Sequence, residues 1–179
     1  RGAQRAGITG GAGPTLLAAP RLLELVSGLS KRFPSTLLIS NGARLDEELL
    51  ESLVHSGLTT LAISRHGLHL EHDARIMNLA VDSGAIAQRA SSLGLRTRAI
   101  CVLQRGGVDS AEKVRAYLER SAREGFAEVC FKELYVSSLA ENPWAPSSVN
   151  QYCEANQVPL AAAIEAIIEL ALERCAELP

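Results

Sequence analysis

Apolar residues along this chain alternate between two rhythms. Leu22, Leu25, Val26 and Leu29 follow the i, i+3, i+4, i+7 spacing of a helix face, with Pro20 suited to a first helical turn. Leu49, Leu50, Leu53 and Val54 form a second such face behind Asp46, a capping residue. Val114, Tyr117 and Leu118 form another, and Asp109 with Glu112 has capping-box spacing before it. The stretch 73–93 is mainly helical, with Gly84 as the place where it would divide in two. Between these faces lie short continuous apolar runs: Leu37-Leu38-Ile39, Leu61-Ala62-Ile63, Ala99-Ile100-Cys101-Val102 and Val129-Cys130-Phe131. Such runs suit strands that are covered on both faces.

One junction recurs. A helical stretch ends, glycine follows, then a hydrophobic residue and a strand-like run: Gly57-Leu58, Gly94-Leu95 and Gly125-Phe126. Glycine just past a helix takes the left-handed conformation that ends it. The predicted order is β-α-β-α-β-α-β-α-β, with strands near 6–9, 36–40, 59–64, 97–103 and 127–134. This alternation predicts an α/β fold with a parallel sheet and right-handed crossovers, either a barrel or an open doubly wound sheet. The segment 142–157, rich in Pro, Ser and Asn, is predicted as loop. Leu160, Ile164, Ile167, Ile168 and Ala171 then mark an amphipathic helix. The division expected is a (β/α) domain over 1–141 and a loop with a C-terminal helix over 142–179.

Composition narrows the function classes. The 179 residues carry a net charge of −2, with basic residues scattered, which argues against a nucleic-acid surface. No apolar run is long enough for a membrane span, and no secretory leader is legible, so a cytoplasmic setting is expected. The chain opens on Arg1 with a strand following almost at once, and further sequence upstream is expected. Cys101, Cys130, Cys153 and Cys175 are too widely separated for a close-spaced metal or redox pair. Cys101 and Cys130 read as packing residues.

In parallel α/β folds ligands bind at the carboxyl ends of the strands. Here those ends are polar or glycine-rich: Thr9-Gly10-Gly11-Ala12-Gly13-Pro14-Thr15, Ser40-Asn41-Gly42, Ser64-Arg65-His66, Gln104-Arg105-Gly106-Gly107, and Lys132-Glu133. The glycine loop lacks the Lys-Ser/Thr of a P-loop and the spacing of a dinucleotide fingerprint. His66, His69 and His72 recur every third residue near Glu71 and Asp73. Gly67 makes this a loop, and a solvated loop with His66 near substrate is preferred to a metal site. Lys132, in an apolar strand, reads as a charge-paired or substrate-contacting residue, or as a Schiff-base nucleophile made reactive by burial.

Three of these segments together carry a resemblance. Ile8-Thr9-Gly10-Gly11-Ala12-Gly13-Pro14-Thr15-Leu16 resembles the second-strand Thr-Gly-Gly-Glu-Pro-Thr-Leu motif of radical S-adenosylmethionine (SAM) enzymes. Ile39-Ser40-Asn41-Gly42 resembles their third-strand Thr-Asn-Gly. Ile63-Ser64-Arg65-His66, with Glu71 to Met77, is similar to the fourth strand and helix of one branch. The likeness runs from residue 6 to about 135. It implies a partial parallel (β/α) barrel, TIM-barrel-like, of radical SAM type. It also implies SAM and an iron–sulfur cluster as cofactors, an electron donor, and a small-molecule or peptide substrate. On that resemblance Gly10, Gly11, Ala12 and Gly13 would face the SAM amino group, and Ser40 and Asn41 would line the cofactor end. Ser64, with Arg65 or Arg75, would contact carboxylate or ribose, and Gln104 would reach the same rim. His66, Lys132 and Glu133 are candidates for lining the substrate space; no catalytic residue is assigned.

The chain departs from the family pattern twice. The motif's Glu is replaced by Ala12-Gly13, and the Cys-x-x-x-Cys-x-x-Cys segment that would hold the cluster is absent, its place being upstream of Arg1. The chain alone is therefore expected to be inactive, as a fragment of an enzyme whose full-length parent does the chemistry. Two other readings are a Schiff-base lyase using Lys132 and a non-catalytic degenerate barrel serving as a scaffold.

Overall fold

A computed structural model describes residues 2–9, 19–137 and 147–176. Five strands, β1 (Arg5–Ile8), β2 (Ser35–Ser40), β3 (Thr60–Ser64), β4 (Arg96–Leu103) and β5 (Glu128–Glu133), lie in sequence order and pair in parallel throughout. They form a curled half-barrel, the partial TIM-barrel-like architecture the sequence predicted. The connecting helices are α1 (Ala19–Ser30), α2 (Glu47–His55), α3 (Leu70–Met77), α4 (Ser83–Ser92) and α5 (Ala111–Arg123). Two more follow β5: α6 (Ser147–Asn156) and α7 (Leu160–Ala176).

Strand residues point alternately to the two faces of the sheet. On the helix side Leu38, Leu61, Ile63, Ala99, Cys101 and Leu103 join Val26, Leu53, Ala87, Val114 and Tyr117 in the main core. On the other side Leu37, Ala62 and Ile100, with Ile39 and Cys130, form a small second cluster that floors the concave face. This two-sided burial is why the strands read as continuous apolar runs.

The three junction glycines do end their helices with positive φ: Gly57 at 94°, Gly94 at 86° and Gly125 at 84°. Two threonines tie these turns to the sheet. Thr36 Oγ1 donates to the Gly57 carbonyl at 2.7 Å, and Thr97 Oγ1 donates to the Gly125 carbonyl at 2.8 Å. Both threonines are fully buried, so each hydrogen bond satisfies groups cut off from water and pins the register of a strand pair.

Several local expectations need correction. The stretch 73–93 does split, but at Asn78 (φ 51°) and not at Gly84, which lies in the first turn of α4. A Cβ on Gly84 would stand 2.9 Å from Glu124 Cδ, so close helix packing selects the glycine there. The cap of α5 is Ser110, whose hydroxyl accepts from Lys113 N at 3.3 Å. Asp109 instead accepts from Gly106 N at 2.8 Å and Lys113 Nζ at 2.6 Å. Asp46 caps α2 as expected, through Leu49 N at 2.8 Å. The segment predicted as loop contains α6, because Val149, Tyr152 and Cys153 supply a short helical face that the surrounding Pro, Ser and Asn obscure. Ala163 and Ala166 of α7 enter the main core, so the C-terminal helix packs on the barrel it follows.

Candidate functional site at the carboxyl rim

Alternation along the strands sorts the rim residues into two sets. Strand register places Ser64, Ile100 and Cys130 in one row across the concave face. Asn41 follows Ser40, the partner of Ile63, and so comes level with Ser64. One step nearer the rim, Val102 pairs with Lys132, and the Val102 amide donates to His66 Nδ1 at 3.0 Å. His66, Val102 and Lys132 therefore share a row. Beneath them, Arg98 and Arg96 both pair with Glu128, Arg98 Nε donating at 2.5 Å. The concave face thus grades from an ion-paired base, through an apolar floor, to a polar upper edge.

The His66 interaction defines its protonation. An amide N–H donates, so Nδ1 must hold a lone pair, and the proton of the neutral ring sits on Nε2. Burial and the nearby Lys132 charge push the imidazole down to about 4. Its backbone is fixed as well. Asp73, 3% exposed, takes the amides of His66 at 2.5 Å and Gly67 at 3.0 Å on one oxygen. Burial raises the Asp73 carboxyl above its ordinary value, against the opposing pull of these amides, Arg65 and Arg120.

The second set points into the helix layer. Arg65 is 2% exposed and makes an ion pair with Glu124 of the α5 C-terminus. Its Nη2 donates to Ser121 Oγ at 2.8 Å, and its guanidinium lies 4.4 Å from the Tyr117 ring centroid and 5.3 Å from that of Phe126. Tyr117 OH donates to the Arg65 carbonyl at 2.8 Å. Arg65 is thus a structural cation behind the rim, and the cofactor contact expected of it is corrected: odd and even positions of β3 face opposite ways. Ser40 likewise turns inward, its hydroxyl accepting from Gly42 N at 3.0 Å. Glu133 accepts from Leu160 N at the start of α7 and does not line the concave space.

Three other predicted residues have other placements. Arg75 Nη2 donates to the Gly106 carbonyl at 3.0 Å, tying α3 to the turn after β4. Gln104 lies at the rim but is 3% exposed, with Oε1 accepting from Tyr152 OH at 2.8 Å. The Gln104–Gln157 bridge and the Arg105 N to Asn156 O bond (2.9 Å) bring α6 over this end of β4. Lys132 is exposed, so the burial inferred from its apolar strand is missing, and with it the argument for a burial-activated nucleophile. Gly10, Gly11, Ala12 and Gly13 lie outside the described residues.

Of the predicted residues, the structure brings together Asn41, Ser64, His66 and Lys132 on the concave face. Sequence reasoning missed Asp73 as the anchor of the His66 turn, and Arg98 with Glu128 as the charged base. Parity along β4 and β5 would have paired the last two; Asp73 carried no local signal beyond its place in a helix. Among the described residues, no three His, Cys, Asp or Glu side chains converge as a metal set, and no helix is long and apolar enough to cross a membrane.

No family model matches the chain, and no curated protein matches it by sequence. Solved structures do match in fold. Coproporphyrinogen III oxidase (HemN) from Escherichia coli, described as a radical SAM enzyme, superposes with a TM-score of 0.63 at 15% identity, over 93% of this chain and 39% of its own. Methylornithine synthase (PylB) gives 0.57 at 16% identity, over 72% and 38%. SuiB of Streptococcus suis, solved bound to S-adenosylmethionine, gives 0.51 at 17% identity, over 62% and 25%. The chain therefore has the fold of part of a radical SAM barrel, as its motifs anticipated, and spans between a quarter and two fifths of these relatives.

Proposed function

We propose that this chain is the cofactor-facing part of the barrel in a radical SAM enzyme, acting on a small molecule or peptide. The observation that carries the reading is the rim itself. Segments that follow β1, β2 and β3 in the sequence resemble three successive family motifs, and strand register puts Asn41, Ser64 and His66 on the concave face, above an apolar floor. That combination suits a ligand with an apolar body and polar ends.

The residues here fit SAM better than they fit its cluster. Amide, hydroxyl and imidazole groups are available on the concave side for hydrogen bonds to an adenosyl and amino-acid ligand. The described cysteines do not fit an iron–sulfur cluster. Cys101 is fully buried on the helix side, where burial pushes its thiol up to about 12, whereas cluster ligation needs thiolates. Cys130 faces the opposite side of the sheet, and Cys153 is buried in α6. Cluster ligands are assigned by this reading to sequence outside the chain. When bound at such a cluster, SAM supplies the hydrogen-abstracting radical; the residues seen here bind, orient and shield.

The test is anaerobic reconstitution of the full-length parent with iron and sulfide, followed by electron paramagnetic resonance. A reduced-cluster signal that changes on adding SAM supports the proposal. A folded parent that assembles no cluster overturns it and leaves a barrel with a non-catalytic or different role.

A further inference from the structure

The upper row of the concave face contains two donors that no described residue engages. His66 spends Nδ1 on the Val102 amide, which fixes the remaining ring proton on Nε2. Lys132 stands two strands away in the same row, exposed, and among the described residues no carboxylate pairs with it. The neighbouring carboxylates are otherwise engaged. Asp73 on α3 holds the His66 and Gly67 amides, Glu133 faces α7, and Glu128 holds Arg96 and Arg98 at the base. From β4 the row presents only Val102. The turn that carries His66 is closed on its far side by Gly107, where a Cβ would stand 3.0 Å from the His66 carbonyl. His66 is thus braced from α3, β4 and the following turn, and its proton-bearing edge is left for the barrel space.

From this juxtaposition we infer that His66 and Lys132 form an oxyanion site for the bound small molecule, with Nε2–H donating one hydrogen bond and the ammonium supplying charge, and that Asp73 is the positioning residue that sets the imidazole. A fixed neutral donor beside a mobile cation suits a carboxylate or phosphate oxygen, since charge-assisted hydrogen bonds are the stronger kind. A double-cation site would repel the ring proton needed for a second charge. The same pair would reject a neutral or cationic end group at this position. The site rests on the barrel-ligand reading but not on a cluster, so it is tested without one.

The experiment uses the full-length protein labelled with ¹⁵N-histidine. Long-range ¹H–¹⁵N spectra should report His66 as the Nε2–H tautomer. Acetate, inorganic phosphate and S-adenosylmethionine are then titrated separately, each with His66→Gln, Lys132→Ala, Asp73→Ala and Asp73→Asn alongside. A His66 shift with SAM but not with acetate or phosphate assigns the oxyanion to the cofactor. A shift with a simple anion as well assigns a general oxyanion site open to substrate. Lys132→Ala should weaken the responsive probe about tenfold or more. For His66→Gln and His66→Ala, where the ring signal is lost, isothermal titration calorimetry with the same probe should show the glutamine variant, whose amide N–H can occupy the Nε2 position, weakened less than the alanine variant. Asp73→Ala should scramble the tautomer and weaken binding, and Asp73→Asn, which keeps an accepting oxygen, should restore both. A His66 ring protonated on Nδ1, or no response to any probe in folded protein, overturns the site. Cluster failure in the parent with an intact His66 response would overturn the enzymatic reading and leave this one standing.

Discussion

Removing the Glu124 carboxylate should cost more than removing its arginine partner, and the structure says by how much. The Arg65 side chain is 3% exposed and the Glu124 side chain 18%. Glu124 also has a second cation, since Arg120 Nε donates to its Oε1 at 2.6 Å. Glu124→Ala therefore leaves a guanidinium inside the α5–β3 interface with Ser121 Oγ, two ring faces and the electrostatic pull of Asp73, but no carboxylate in direct contact. Its Nε, already without a partner, has no means of compensating. Breaking a buried pair from one side costs about 3–5 kcal/mol; the partial exposure of Glu124 places this case near the lower end, about 3 kcal/mol. Arg65→Met leaves a carboxylate that still has Arg120 and water, and methionine can occupy the space between Tyr117 and Phe126. That change should cost about 1–2 kcal/mol. Replacing both, Arg65→Met with Glu124→Ala, should be no worse than the Glu124 change alone, because no charge is then buried without a partner.

Urea unfolding at neutral pH, followed by circular dichroism, measures all three if the slope stays constant. In a thermal scan the Glu124→Ala loss corresponds to roughly 6–12 °C for a domain of this size. Equal costs for the two single variants, or a Glu124→Ala cost below about 1 kcal/mol, would refute the assignment of Arg65 as a desolvated structural cation. Strictly additive single and double variants would refute the pairing itself.

Three other outcomes follow from the same contacts. His66 has its pKa lowered from 6.5 to about 4, so the folded state binds fewer protons than the unfolded one in that window. Its contribution is fully present above pH 6.5 and is lost as pH falls towards 4, a total of roughly 3 kcal/mol. Urea midpoints between these pH values should fall more steeply in the natural chain than in His66→Gln, and parallel slopes would contradict the lowered value. Gly42 has φ 86°, and a Cβ there would meet Val81 Cγ1 at 2.8 Å and Ile86 Cδ1 at 3.1 Å. Gly42→Ala should lose about 1–3 kcal/mol in the same unfolding assay, and a neutral result would mean that the turn after β2 is not held as described. At the base of the concave face, burial works to raise the Glu128 carboxyl, but the Arg98 and Arg96 contacts outweigh it and hold the group below its ordinary range. Glu128→Gln should cost about 1 kcal/mol at neutral pH, less in high salt, and the natural chain should shed that increment as pH falls through the lowered pKa. An effect that does not respond to salt or acid would point to packing in place of charge.

The fold was legible because its signals are local. Gly57, Gly94 and Gly125 mark where each helix must stop, and the apolar runs after them can only be strands buried on two sides. Capping chemistry was less so: Asp109 and Ser110 are adjacent and chemically equivalent as caps, and the Lys113 ammonium, which draws Asp109 away, decides between them. The α6 helix was hidden because its anchoring contacts, Tyr152 on Gln104 and Asn156 against Arg105, come from a distant strand. Which face each rim residue occupies was legible only in part, for one reason. Neighbours such as Ser64, Arg65 and His66 were taken together as a motif, whereas a strand sends them to opposite faces. Period-two alternation, anchored on the buried pair Leu61 and Ile63, assigns Ser64 and His66 to one side and Arg65 to the other from sequence alone.

On the proposed reading of the rim as a ligand site, that division combines rigidity with freedom to bind. On the helix side of the rim Arg65 is held by Glu124, Asp73 by two amides and Glu133 by the start of α7. These contacts immobilise the backbone from residue 65 to 67 and make no demand on the concave side chains. On the concave side Ser64 and His66 belong to or adjoin that stiff backbone, while Asn41 and Lys132 stand on the neighbouring β2 end and on β5. His66 is restrained through the Val102 amide, and Asn41 Oδ1 accepts from Ala43 N at 3.1 Å. Exchanging a concave residue should therefore alter what the barrel accepts with little loss of stability. Exchanging Arg65, Asp73 or Glu124 should destabilise the chain first, and disturb binding only through the position of His66. Arg65, which the motif marked for a cofactor contact, and Asp73, which carried no signal in the sequence, both serve to hold the His66 turn in place.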